Sequence, residues 1–168
     1  TLFDRSVHFK GQGLAKHREY WHDVIGYNYR MTNICAAIGL AQLEKVENTI
    51  KVKREIADYY KYYLKGLPVE IHQEHESKYF NTYWMVSILV ENPALRDKLR
   101  EHLSANGIET RPTFYPVHTM PMYSEKYQRH PVAENLGWRG INLPSYPELN
   151  EEDVKFICNI ISEFYDKH

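Results

Sequence analysis

Residues 34–64 contain no proline and one glycine, Gly39. Within them Ile34, Ile38, Leu43, Val46 and Ile50 recur at close to helical spacing, and charged residues fill the other faces. Thr32 stands where an N-cap belongs, and Gly66 with Pro68 supplies the stop. The pattern predicts one long helix over residues 32–66. At about 1.5 Å per residue such a helix runs on the order of 50 Å. That is more than a small domain needs, so the helix is expected to bridge two domains or line an interface.

The chain on either side is unequal. Residues 1–31 read as an irregular arm or loop: Gly11-Gln12-Gly13 is a turn signal, and Tyr20-Trp21-His22-Asp23 has no period. Residues 67–168 read as a compact domain. Strands are expected at 69–72, 82–90, 108–111 and 141–143, the second as a continuous apolar run. Asn92-Pro93 predicts a helix start, with Leu95, Leu99 and Leu103 on one face. A short helix is expected at 131–136. Asn150 caps a last one, whose Val154, Ile157, Ile161 and Phe164 form one stripe. The fold class that follows is α+β, a long helix leading into a small antiparallel sheet covered by helices. An arm and a helix without a sheet of their own, beginning at Thr1 without a Met, lead us to expect a missing N-terminal domain.

Composition narrows the function. The net charge is −1, so neither nucleic acid nor an anionic membrane is expected as a partner. No apolar run spans a bilayer and no signal peptide opens the chain, so a cytoplasmic location is expected. Cys35 and Cys158 fit a reducing compartment, and each lies in an apolar helical pattern that predicts core packing. Fourteen tyrosines and three tryptophans point to half-buried surfaces at a subunit interface or a sugar site, though a tyrosine-rich core margin fits as well.

The chemistry concentrates in Gly26-Tyr27-Asn28-Tyr29-Arg30-Met31-Thr32-Asn33. In an extended segment Asn28 and Arg30 point to the same face, directly before a helix N-terminus with partial positive charge. An amide, a guanidinium and a helix start make a phosphate cradle, or simply a capped helix with a surface arginine. His72 and His75 have H-x-x-H spacing but no further ligand partner, so no metal is assigned.

That segment, continued by Ala36-Ala37-Ile38-Gly39-Leu40-Ala41-Gln42-Leu43-Glu44, resembles a signature of the DegT/DnrJ/EryC1/StrS family of sugar aminotransferases. Arg111-Pro112-Thr113-Phe114-Tyr115-Pro116-Val117-His118, Pro131-Val132-Ala133-Glu134-Asn135-Leu136, Leu143-Pro144 and Leu149-Asn150-Glu151-Glu152-Asp153-Val154 are similar to further family segments, in the same order. The region from Arg5 to Gly13 and Tyr20-Trp21-His22 is most similar to the GDP-perosamine synthase branch.

The resemblance implies a fold of the aspartate-aminotransferase type, of which residues 67–168 would be the small C-terminal domain. It implies pyridoxal phosphate as cofactor and a homodimer whose subunits share each active site. The substrates would be a 4-keto-6-deoxy nucleotide sugar and an amino donor, typically glutamate, for glycan precursor synthesis. Asn28 would contact the cofactor phosphate of the partner subunit, with Arg30 near that phosphate or the substrate. Arg111, Tyr115 and His118 would help form the sugar-nucleotide site, and Tyr20, Trp21 and His22 are further substrate-side candidates. The cofactor-bearing lysine would precede Thr1, so no catalytic residue is assigned here, and this piece alone is expected to be inactive. Two alternatives stay open: a sugar 3-dehydratase of the same family, with histidine replacing that lysine, and a non-catalytic dimerisation or binding module. An apolar helix face left uncovered predicts self-association in either case.

Overall fold

The computed structural model describes residues 1–74, 78–124 and 128–168. It divides into two compact units, Thr1–Val46 and Glu47–His168, described separately below.

The first unit is not irregular throughout, as its sequence had led us to expect. Leu2–Lys10 is a helix, α1, closed by a capping box in which Thr1 and Asp4 bond each other's backbones. The Thr-x-x-Asp spacing was the local signal for it. The chain then folds back on itself: Gly11 bridges Asn28 and Leu14 bridges His22. The return depends on two glycines. Gly13 has φ +69°, and a Cβ at Gly26 would lie 2.4 Å from the Gly13 nitrogen and 2.7 Å from the Phe9 oxygen. Thr32 caps α2, Asn33–Leu43, by accepting from the Cys35 amide at 3.3 Å. No residue of α2 is buried. Cys35 is exposed, which corrects the core assignment drawn from its apolar neighbours.

The expected single helix is two. The chain turns at Glu44–Lys45, where the Lys45 amide bonds Gln42, three residues back, and the four-residue ladder lapses. Neither proline nor glycine marks the break, so the sequence pattern carried no sign of it.

The second unit begins in the following helix, α3, Val46–Tyr63. Its buried stripe is Lys53, Ile56, Ala57 and Tyr60. Strands β1 (Val69–Ile71), β2 (Val86–Val90), β3 (Arg111–Pro112) and β4 (Gly140–Leu143) form one sheet, ordered β1-β2-β4-β3 and antiparallel throughout. Val86 pairs with Leu143 and Ile88 with Ile141. Along β2 Val86, Ile88 and Val90 are buried, while Ser87 and Leu89 are half-buried on the other face. Helices α4 (Arg96–Ala105) and α6 (Glu151–Tyr165) join α3 in a core with Leu99, Leu103, Val154 and Ile161. Each such side chain contributes about 1.5–3 kcal/mol by leaving water. Asn92 caps a 3₁₀ turn before α4, and Asn150 forms a capping box with Asp153 at α6.

Three expectations about boundaries are revised. β2 starts at Val86, four residues late, because Tyr83 has φ +47° and cannot continue a strand. β3 is only two residues long. Helix α5, Pro131–Arg139, runs three residues beyond its expected end at Leu136. No helix among the described residues is long and apolar enough to cross a membrane.

Candidate functional site

In the first unit the fold-back of the arm shapes a concavity of 730 Å³, with His22, Gly26, Tyr27 and Asn28 in its wall. His22 reaches the Gln12 carbonyl oxygen through Nδ1 at 2.8 Å. Asn28 Oδ1 accepts from the Arg30 amide at 3.3 Å, which leaves the Nδ2 donors facing away from its own backbone. Both residues are exposed, and the Arg30 guanidinium has no protein partner among the described residues. Trp21 lies under Arg18, whose guanidinium carbon is 4.2 Å from the ring centroid. Tyr20 is 93 % exposed with φ +55°. The structure thus brings His22 and Asn28 to one concavity and leaves Tyr20 and Trp21 outside its wall.

In the second unit the predicted substrate residues separate. Tyr115 lines a cleft of 760 Å³ on the helix-poor face of the sheet, with Ser87, Leu89, Phe114 and Leu136. Its ring packs on Trp138 at 5.4 Å. Arg96, buried beneath, lies 5.8 Å from the ring, grips Asp97 with two nitrogens (2.9 and 3.1 Å) and donates to the Gly137 oxygen. His118 does not line that cleft: Nε2 lies 3.2 Å from Glu134 Oε1, and its ring meets His130 edge-on at 4.6 Å. The His130 amide, then Arg129 and His118, hold the Glu134 carboxyl below its usual range.

Arg111 opens into a different cleft, of 630 Å³, with Trp84, Asn142, Tyr146 and Phe156 in its wall. Behind that wall sits a residue the sequence did not single out. Lys53 is 9 % exposed, and its Nζ donates to the Trp84 oxygen at 2.8 Å, to Ser145 Oγ at 2.9 Å and to the Ser145 carbonyl. Burial lowers its pKa. Arg54, next on α3, donates to both oxygens of Glu74 (3.1 and 2.7 Å) and to the Asn81 oxygen at 2.6 Å.

No group of three or more metal-ligating side chains occurs among the described residues. His75 lies outside them. For pyridoxal phosphate, the donors of Asn28 and Arg30 and the capped start of α2 fit the phosphate group: all are cationic or N–H donors, exposed and unpaired with any acid.

Comparison with known proteins decides the family. The model of the DegT/DnrJ/EryC1/StrS aminotransferase family matches residues 1–162. The chain belongs to this family. It is 67 % identical over 165 residues to the GDP-perosamine synthase of Escherichia coli O157:H7, covering 98 % of this chain and 45 % of that protein. It is 45 % identical over 169 residues to the GDP-perosamine synthase of Vibrio cholerae, covering 98 % and 46 %. The chain therefore spans about half the length of these relatives. Among solved structures, the aminotransferase TlmJ from Streptoalloteichus hindustanus superposes with a TM-score of 0.89 at 20 % identity, over 99 % of this chain and 45 % of that one. This likeness in fold supports the α+β architecture read from the sequence.

Proposed function

We propose that this chain is the C-terminal portion of a pyridoxal-phosphate-dependent aminotransferase that converts a 4-keto-6-deoxy nucleotide sugar to its 4-amino product, as in GDP-perosamine synthesis. The observation that carries this reading is the 67 % identity to a GDP-perosamine synthase over nearly the whole chain, together with the free donors of Asn28 and Arg30. Glutamate is the proposed amino donor, and the product would serve glycan assembly. The two free cysteines suit a cytoplasmic, reducing setting.

When bound, pyridoxal phosphate supplies the electron sink for the carbon that exchanges its proton. In this reading Asn28 Nδ2 and the Arg30 guanidinium hold the phosphate bound by a partner subunit in a homodimer, and so fix the orientation in which the proton moves. Gly26 keeps Asn28 in place, because its backbone packs where no side chain fits. Tyr115, Arg111, His118, Tyr20, Trp21 and His22 stand on the substrate side. We assign the proton transfer to a lysine outside residues 1–168, so this chain alone is inactive.

The test is made on the intact protein, purified and reduced with borohydride, followed by peptide mapping and an amination assay with glutamate. A visible cofactor band that becomes fixed to a lysine, with amino-sugar formed, is expected. A band that borohydride does not fix to lysine would assign the protein to the dehydratases, and the absence of any band would leave only a binding module.

A further inference from the structure

Helix α1 gives its last carbonyls to the fold-back that follows it. The His8 oxygen accepts from the Gly13 amide at 3.0 Å, the Phe9 oxygen from Tyr27 at 2.9 Å and the Lys10 oxygen from Tyr29 at 3.0 Å. Groups that any helix leaves unpaired at its C-terminus are thus what holds residues 27–29. Asn28 lies between the two tethered amides, so its place is set by α1.

One pair of side chains spans the same junction. His8 Nε2 lies 2.6 Å from Asp23 Oδ1, and that nitrogen is shut off from water. The contact lies off the N–H axis, so it acts through charge and not as a straight hydrogen bond. A protonated His8 in the last turn also suits the negative end of α1. The backbone closes the same ring: the Asp23 amide donates to the Gly13 oxygen at 3.1 Å, and the Gly13 amide to the His8 oxygen. Other ionisable groups of these two segments are engaged elsewhere: Asp4 with Thr1, Arg5 over the Phe9 ring, and His22 with the Gln12 oxygen.

Asp23 also stands in the wall of the 730 Å³ concavity that includes Asn28. An uncompensated carboxylate there would repel the anion that Asn28, Arg30 and the start of α2 attract. We propose that His8 is a positioning residue for the phosphate cradle: it fastens Asp23 and the returning segment to α1, and it cancels the charge of Asp23 so that the wall accepts an anion. The proposal rests on the reading of Asn28 as a phosphate ligand, and it adds a residue outside the signature.

The experiment compares the intact protein with His8→Gln, Asp23→Asn and the double variant. The first readout is hydrogen exchange at the Tyr27 and Tyr29 amides in the cofactor-free protein. The second is pyridoxal phosphate retention during dialysis, followed by the visible spectrum. Exchange at both amides is expected to rise about tenfold in His8→Gln and in Asp23→Asn, with the unfolding midpoint unchanged. Retention falls about tenfold in His8→Gln and less in Asp23→Asn. Adding Asp23→Asn to His8→Gln recovers part of the loss, because the uncompensated carboxylate is gone; a residue that merely supported the fold would show no such rescue. Exchange unchanged within about twofold in both single variants overturns the proposal, and so does a double variant that retains the cofactor no better than His8→Gln. If the wild type aminates its substrate but neither readout responds, only this role of His8 is lost. If exchange responds but the wild type takes up no pyridoxal phosphate, the fastening stands and the aminotransferase reading fails.

Discussion

Lys53 Nζ donates to the carbonyl oxygen of Trp84 across 2.8 Å, joining the middle of α3 to a turn 31 residues later. The same ammonium holds Ser145, 92 residues away, so three separate segments meet on one charge. Replacing Lys53 by Met removes the donor and leaves buried acceptors unpaired. We expect a loss of about 2–3 kcal/mol, read as a lower denaturant midpoint at unchanged slope.

Glu74 is held in its ionised form by its neighbours. The Arg54 guanidinium, then the Asn81 amide, hold its carboxyl down to about 2, against 4.5 unperturbed. The stability it adds is fully present above about pH 4.5 and is lost as the pH falls towards 2. Glu74→Gln should therefore flatten the pH dependence of the melting temperature in that window and change its shape little above it.

The two thiols differ. Burial pushes Cys158 up to about 12, whereas Cys35 is exposed. In the folded 168-residue chain one thiol should react with a disulfide reagent at pH 8, and both should react in denaturant. The stability that Cys158 contributes as a neutral thiol is complete below about pH 9 and declines as the pH rises towards 12.

Gly26→Ala forces a methyl group against the backbone of Gln12, Gly13 and Phe9. We expect it to distort the arm without changing the melting of the second unit. On the proposed role of Asn28, Asn28→Asp in the intact protein would place a carboxylate beside the cofactor phosphate. Each variant should weaken pyridoxal phosphate retention by about tenfold or more, measured from the visible spectrum during dialysis.

Helix α2 leaves Ile34, Ile38, Leu40 and Leu43 between 58 % and 75 % exposed. Such a surface drives association. The chain is expected to sediment as a dimer or larger at micromolar concentration, and Ile38→Glu to shift it towards monomer.

Much of the architecture was legible in residue order. The caps at Thr32, Asn92 and Asn150 and the stripe Val154–Ile157–Ile161–Phe164 all depend on neighbours a few positions apart. The run in β2 read as continuously apolar, whereas its burial alternates. The family was legible too, because its signature lies in one unbroken segment around Asn28 and Arg30. The α1 helix was missed although its Thr1–Asp4 box was in plain view, since the apolar pattern beside it is weak.

Other features had no local trace. A lysine among the many charges of α3 gives no sign that it is buried, since the acceptors that make burial tolerable lie on distant turns and loops. The left-handed Tyr83, inside an apolar run that reads as strand, is imposed by contacts from Lys61 and Asn81. Helix caps, the apolar stripe of α6 and family membership thus follow from residue order, because the patterns behind them are short in sequence. The burial of Lys53, the outward turn of Trp84 and the separation of Arg111 from Tyr115 into two clefts were settled only by folding, because each depends on groups that meet only in three dimensions.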